Sequence, residues 1–177
     1  MSEALARYGA LTAKVDAFFA RVWSRHGDRM RCAEGCESCC HVSLDVTGVE
    51  AAAVRAFLAT LSVEEREALR ARARAAREGR CAALGDDGRC GVYAARPLVC
   101  RSHGVPVKTR DRRGLPVVSA CELNFTEGGP AAADPDCVLD QETLSTVLAA
   151  LEALYAREQG SAPSRVALRD LLSEAGT

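Results

Sequence analysis

Four cysteines within nine residues, Cys32, Cys36, Cys39 and Cys40 in 31-RCAEGCESCCHVSLD-45, constrain this chain more than any other feature. Three ligands from one short loop converge on a metal at little ordering cost, because the residues between them form tight turns. A further ligand must then come from a distant segment, which pins the loop to the rest of the fold. The chain holds 9 cysteines, an odd number. Its first residues, MSEALARYGALTAKVDAFFARVW, scatter Glu3, Arg7, Lys14, Asp16 and Arg21 among the apolar positions. That excludes a signal-peptide core and a membrane span there, and the expected location is cytoplasmic. Thiols stay reduced in that compartment, so a dense cysteine set points to metal ligation or redox chemistry before disulfides.

A length of 177 residues at 48% hydrophobic content predicts a single domain over 1–177 that builds its core without disulfides. The formal net charge of -1, with acids and bases well mixed, offers no field for nucleic acid or an anionic membrane. Expected partners therefore reduce to a metal ion, with any protein partner unspecified.

Apolar residues at three- and four-residue steps from Leu5 to Val22 predict an N-terminal helix over 3–26, ended by His26 and Gly27. Thr47 with Glu50, and Ser62 with Glu65, have capping-box spacing and predict two further helices. The segment from Arg80 to Val117 carries Gly and Pro at short intervals, so loops are expected, with brief strands near Gly91–Tyr93 and Leu115–Val118. A stripe from Leu144 to Tyr155 and a last short helix after Pro163 predict C-terminal helices within 139–174. Phe18, Phe19, Trp23, Phe57, Leu151 and Tyr155 read as core residues, and the arginines from Arg66 to Arg77 as a solvated helix face.

The local cluster is joined by Cys81, Cys90, Cys100 and Cys121, each among turn residues rather than in an apolar stripe. Arg31, Arg80, Arg89 and Arg101 each adjoin a cysteine, and a nearby guanidinium favours the thiolate. Adjacent Cys39 and Cys40 diverge unless a turn brings them together. Two neighbouring sites, or one ligand beside one supporting thiol, would also reconcile them. His41 and His103 are read as hydrogen-bonding neighbours of the cluster rather than ligands. Arg96 before Pro97 is either a structural pair or a guanidinium serving cluster sulfurs, and the structural reading leads.

The set CAEGCESCC, then Cys81, then CGVYAARPLVCR from Cys90 to Arg101, then Cys121, resembles the YkgJ-like cysteine-cluster family of CxxCxxCC-type zinc- or iron-chelating domains. The resemblance covers roughly residues 30–125. Tyr93, Arg96, Pro97, Cys100 and Arg101 fall where the pattern C-x-[VI]-Y-x-x-R-P-x-x-C-R expects them. The first cluster departs from the family's C-x2-C-x2-C-C by one residue after Cys32. What the resemblance implies is chelation of zinc or iron by Cys32, Cys36, Cys39, Cys40, Cys81, Cys90, Cys100 and Cys121, with no catalytic residue assigned. Cys137 lies outside the pattern and is expected to be a packed or exposed free thiol.

Cys32, Cys36 and Cys39 also spell C-x3-C-x2-C, the loop that holds a [4Fe-4S] cluster in radical S-adenosylmethionine enzymes. Those enzymes place it in a partial β/α barrel, and alternating strands are lacking here. Flagellin lysine methylases carry a similar cluster, which makes the alternative an iron-sulfur protein in electron transfer or in protein modification. The expected fold is mainly α, a single domain of about five to six helices around a loop-rich, cysteine-lined metal centre, with at most a short β-hairpin. The expected activity is chelation of zinc or iron as a structural, storage, delivery or sensing module.

Overall fold

Helix α1 runs over Glu3–His26 and ends where Gly27 begins a 3-10 turn, as the apolar periodicity predicts. A computed structural model describes residues 2–174 of the chain. Five more α-helices follow: α2 (Gly48–Leu58), α3 (Val63–Ala75), α4 (Leu98–Ser102), α5 (Gln141–Glu158) and α6 (Leu168–Ser173). The fold is mainly α. Both capping boxes form, Thr47 with Glu50 and Ser62 with Glu65, so reciprocal side-chain bonds satisfy the otherwise orphaned N–H groups that open α2 and α3.

Strands are short. β3 (Pro116–Ser119) falls at the strand expected near Leu115–Val118 and pairs as a hairpin with β2 (Val107–Arg110), a stretch expected as loop, and β4 (Leu139–Asp140) adds to β2 in parallel. A separate antiparallel pair joins β1 (Asp45–Thr47) to β5 (Arg165–Ala167), where a helix alone was expected after Pro163. Three extended residues carry too little periodicity to announce a strand; pairing with a segment 120 positions away in sequence decides it. The strand expected at Gly91–Tyr93 is instead an isolated bridge at Cys90 followed by a 3-10 turn at Tyr93–Ala95.

The described chain divides into two compact units. The first comprises residues 2–8, 34–97 and 151–174. Its core gathers Val46, Ala51, Val54, Leu69, Leu84, Val92, Leu168 and Leu172, with Cys81 among them and Cys40 and Cys90 packed against them. Arginines of α3 do more than face solvent: Arg70 Nε and Arg74 Nη2 donate to the carbonyls of Glu174 and Ser173, capping the end of α6. The buried Glu152 carboxylate accepts from the Val49 and Ser164 N–H groups, both at 2.8 Å. A Cβ at Gly48 would stand 2.9 Å from that carboxylate, so the close approach requires glycine there. Glu152→Ala would leave one buried and one partly buried donor unpaired, and we expect a loss of about 1–3 kcal/mol of unfolding free energy in urea titration.

The second unit comprises residues 9–33 and 98–150. Val22, Met30, Val105, Phe125 and Cys137 form one cluster, and Val15, Leu98 and Leu144 another. Trp23, expected in the core, is 43% exposed; Phe19 stacks against it at 6.4 Å and takes the more buried place. Among the described residues no helix is long and apolar enough to cross a membrane.

Candidate metal centre

Ser38–Cys40 forms one 3-10 turn, closed by the Cys40 N–H donating to the Glu37 carbonyl at 2.7 Å. The turn eases the difficulty of adjacent cysteines, bringing the thiols of Cys39 and Cys40 close enough for Cys39 to act on Cys40. The Cys40 carbonyl accepts from the Cys81 N–H at 2.8 Å, which ties this turn to the loop after α3. That loop doubles back as a miniature hairpin, with Gly85 N–H to the Arg89 carbonyl and Gly91 N–H to the Ala83 carbonyl, each 2.8 Å, around the Leu84–Cys90 bridge. Cys81 and Cys90 are thereby returned to the same neighbourhood as Cys39 and Cys40.

Electrostatics bind the four together. The Cys40 thiol is held far above its ordinary range by its hydrogen bond with Cys39, by burial, and by the negative charge of Cys39, Cys81 and Cys90. Burial pushes Cys90 up as well, and Cys81 and Cys39 add to that; the Val92 backbone N–H and the Arg96 guanidinium work in the opposite direction. Four cysteines whose thiolates would repel one another are a donor set that a soft divalent cation relieves, so these residues fit zinc or iron. Among the described residues no three of the patterned sulfurs lie within 4.8 Å of one another. Tetrahedral Zn–S bonds of about 2.3 Å place sulfurs about 3.8 Å apart, so an ion held by these four would draw the thiols inward. Cys39 is exposed and has room to turn.

Cys36 lies in the loop just before the turn, partly buried, in the same unit. Cys32, Cys100 and Cys121 belong to the second unit. There the buried Asn124 organises the Cys32 loop: its Nδ2 donates to Cys32 Sγ at 3.2 Å and to the Gly104 carbonyl at 2.8 Å, while its Oδ1 accepts from the Arg31 N–H at 2.7 Å. The Asn124 N–H donates to the Cys121 carbonyl at 2.8 Å, closing a turn that joins Cys121 to the same residue. Cys100, expected among turn residues, sits on α4. Gly104 has φ +99°, and a Cβ there would stand 2.5 Å from Cys32 Sγ. Gly104→Ala is expected to cost about 1–3 kcal/mol from overpacking, with further strain from the positive φ, measured as a lowered Tm.

The arginines beside cysteines are engaged elsewhere. Arg89 pairs with Glu34 at 3.0 Å, Arg80 with Asp86 at 3.6 Å, Arg101 with Asp16 at 2.6 Å, and Arg31 donates to backbone carbonyls. Arg96, stacked 4.1 Å over the Tyr93 ring, is a guanidinium that acts on a cluster thiol, that of Cys90. His41 is exposed, with Nε2 3.5 Å from Glu37, and His103 is exposed. Asn124 was missed from sequence alone; its position three residues after Cys121 is the one local signal.

A family model described as "CxxCxxCC: Putative zinc- or iron-chelating domain" matches residues 31–123, more than half of the chain. The chain belongs to this family. The CxxCxxCC match begins one residue before Cys32 and ends two after Cys121, so it encloses all eight patterned cysteines and excludes Cys137. It supports metal binding as the property of the domain. No match to the chain is found among curated proteins or among solved structures.

Proposed function

We propose that this CxxCxxCC domain chelates one zinc-type ion through Cys39, Cys40, Cys81 and Cys90, as a structural metal that closes the loops of the first unit. The observation that carries this reading is the Cys39–Cys40 turn, bonded through the Cys40 carbonyl to the Cys81 N–H at 2.8 Å, with Cys39, Cys81 and Cys90 all acting on the Cys40 thiol. Thiols that act on one another in this way suit a single shared ion. A polynuclear iron-sulfur cluster interposes iron and sulfide between its thiolates and spreads them further apart. A structural role is supported by burial, since Cys81 is part of the core and Cys40 and Cys90 pack on it. Cys32, Cys36, Cys100 and Cys121 complete the patterned set as further candidate thiolates, and the Asn124 amide donates to the Cys32 sulfur.

The test is anaerobic purification followed by elemental analysis and visible absorption. Colourless protein carrying zinc is expected. Brown protein with iron and acid-labile sulfide would replace this reading by the iron-sulfur one, and metal-free protein that takes up neither zinc nor iron would reject both.

A further inference from the structure

Cys137 was set aside by its place outside the cysteine pattern, yet it is fully buried and has two metal-binding side chains beside it. His26 Nδ1 or Nε2, an Asp134 carboxylate oxygen and Cys137 Sγ all lie within 4.8 Å of one another. We propose that these three residues form a separate site for a zinc-type divalent cation, independent of the eight patterned cysteines.

The chain builds this group from two short pieces. Pro135–Cys137 is a 3-10 turn capped by Asp134, with the Cys137 N–H donating to the Asp134 carbonyl at 2.8 Å. Side chains at i and i+3 of such a turn eclipse, which is why the Asp134 carboxylate and the Cys137 thiol come to one side. His26, in the last turn of α1, faces them, held against the Phe125 ring at 5.7 Å and only 12% exposed. His26 Nε2 is 3.6 Å from Asp134 Oδ2. Zn–N and Zn–O bonds of about 2.0–2.2 Å at a tetrahedral angle separate two ligand atoms by about 3.4 Å, so this spacing needs little adjustment. An imidazole, a carboxylate and a thiolate make a three-ligand zinc set, and the half-exposed Asp134 leaves the fourth position open to water.

Neighbouring charges fit the assignment. Arg25 lies 2.7 Å from Asp136 and 3.4 Å from Asp134, and Arg21 donates to the Asp136 carbonyl at 3.0 Å. The arginines thus hold the turn chiefly through Asp136, and Asp134 is the carboxylate left to turn toward a cation. Binding gives up two contacts that are both long for hydrogen bonds, the Asp134 N–H donating to His26 Nε2 and Arg25 Nη1 donating to Asp134 Oδ2, each at 3.4 Å.

Zinc bound per chain at equilibrium, by dialysis of the full chain against buffered free zinc, tests the site. Wild type is compared with Asp134→Asn, His26→Gln and Asp136→Asn, all at positions that avoid the fully buried thiol. Asp134→Asn and His26→Gln are each expected to bind one zinc fewer than wild type, and Asp136→Asn, in the same turn but outside the ligand set, to bind the same number. Cobalt(II) in place of zinc should show a matching drop in thiolate-to-cobalt charge-transfer absorption in Asp134→Asn. Any other pattern, including equal zinc in all four proteins or a parallel loss in Asp136→Asn, overturns the site. A Cys39→Ser variant separates this result from the patterned cysteines, because it leaves the difference between wild type and Asp134→Asn untouched.

Discussion

Removing the metal with a chelator is expected to loosen the first unit around Cys39, Cys40, Cys81 and Cys90 and to lower Tm sharply. Structural zinc contributes about 10–16 kcal/mol of apparent binding free energy in small domains, against a net stability of about 5–15 kcal/mol for a typical domain. The loop from Ala76 to Val92 has no helix of its own and reaches the core through Cys81, Ala82, Ala83 and Leu84. Without an ion, the raised Cys40 and Cys90 thiols sit there protonated, and what remains is the hairpin's few backbone bonds and the burial of small side chains such as Ala82 and Ala83. Hydrogen exchange should therefore accelerate first at Cys40, Cys81, Leu84 and Gly91, while Val15 and Val22 of α1 stay protected. Exchange at those four amides that is indifferent to chelator would contradict a structural metal.

Serine at Cys39 is expected to weaken metal binding more than about 100-fold, the upper range for losing a group that merely supports a ligand. Cys39 is exposed, so its replacement leaves the core intact and the loss reports on ligation. Cys81→Ser should lose metal too, with an added cost of about 1–3 kcal/mol from burying a hydroxyl. His41→Ala, one residue beyond the turn and exposed, should keep full affinity. The pH dependence has a definite sign. Metal binds thiolates, and Cys40 and Cys90 hold their protons above the ordinary thiol range, so protons compete and affinity falls as pH is lowered. Competition titration with a zinc indicator across pH checks both points; a Cys39→Ser protein of wild-type affinity would remove Cys39 from the ligand set.

Local information was legible in the residues themselves. The 3.6-residue periodicity of α1, the two capping boxes, the β3 strand and the cysteine spacing each depend on residues within a few positions of one another, so the sequence by itself determined them, whereas β2, its hairpin partner, reads as loop by sequence. Which cysteines share a neighbourhood depends on tertiary structure, because one backbone bond ties Cys81 to Cys40, about 40 residues away, and the hairpin that follows carries Cys90. The same holds for Arg96, whose charge acts on Cys90 while the arginines adjacent to cysteines pair elsewhere. Sequence adjacency says little about where a long guanidinium reaches, since its flexible stem spans several residues in any direction. His26 and Cys137 are 111 positions apart and carry no shared motif. Only the packing of the end of α1 against the 134–137 turn makes them neighbours, and that packing is driven by apolar residues such as Val22 and Phe125, which specify no ligand.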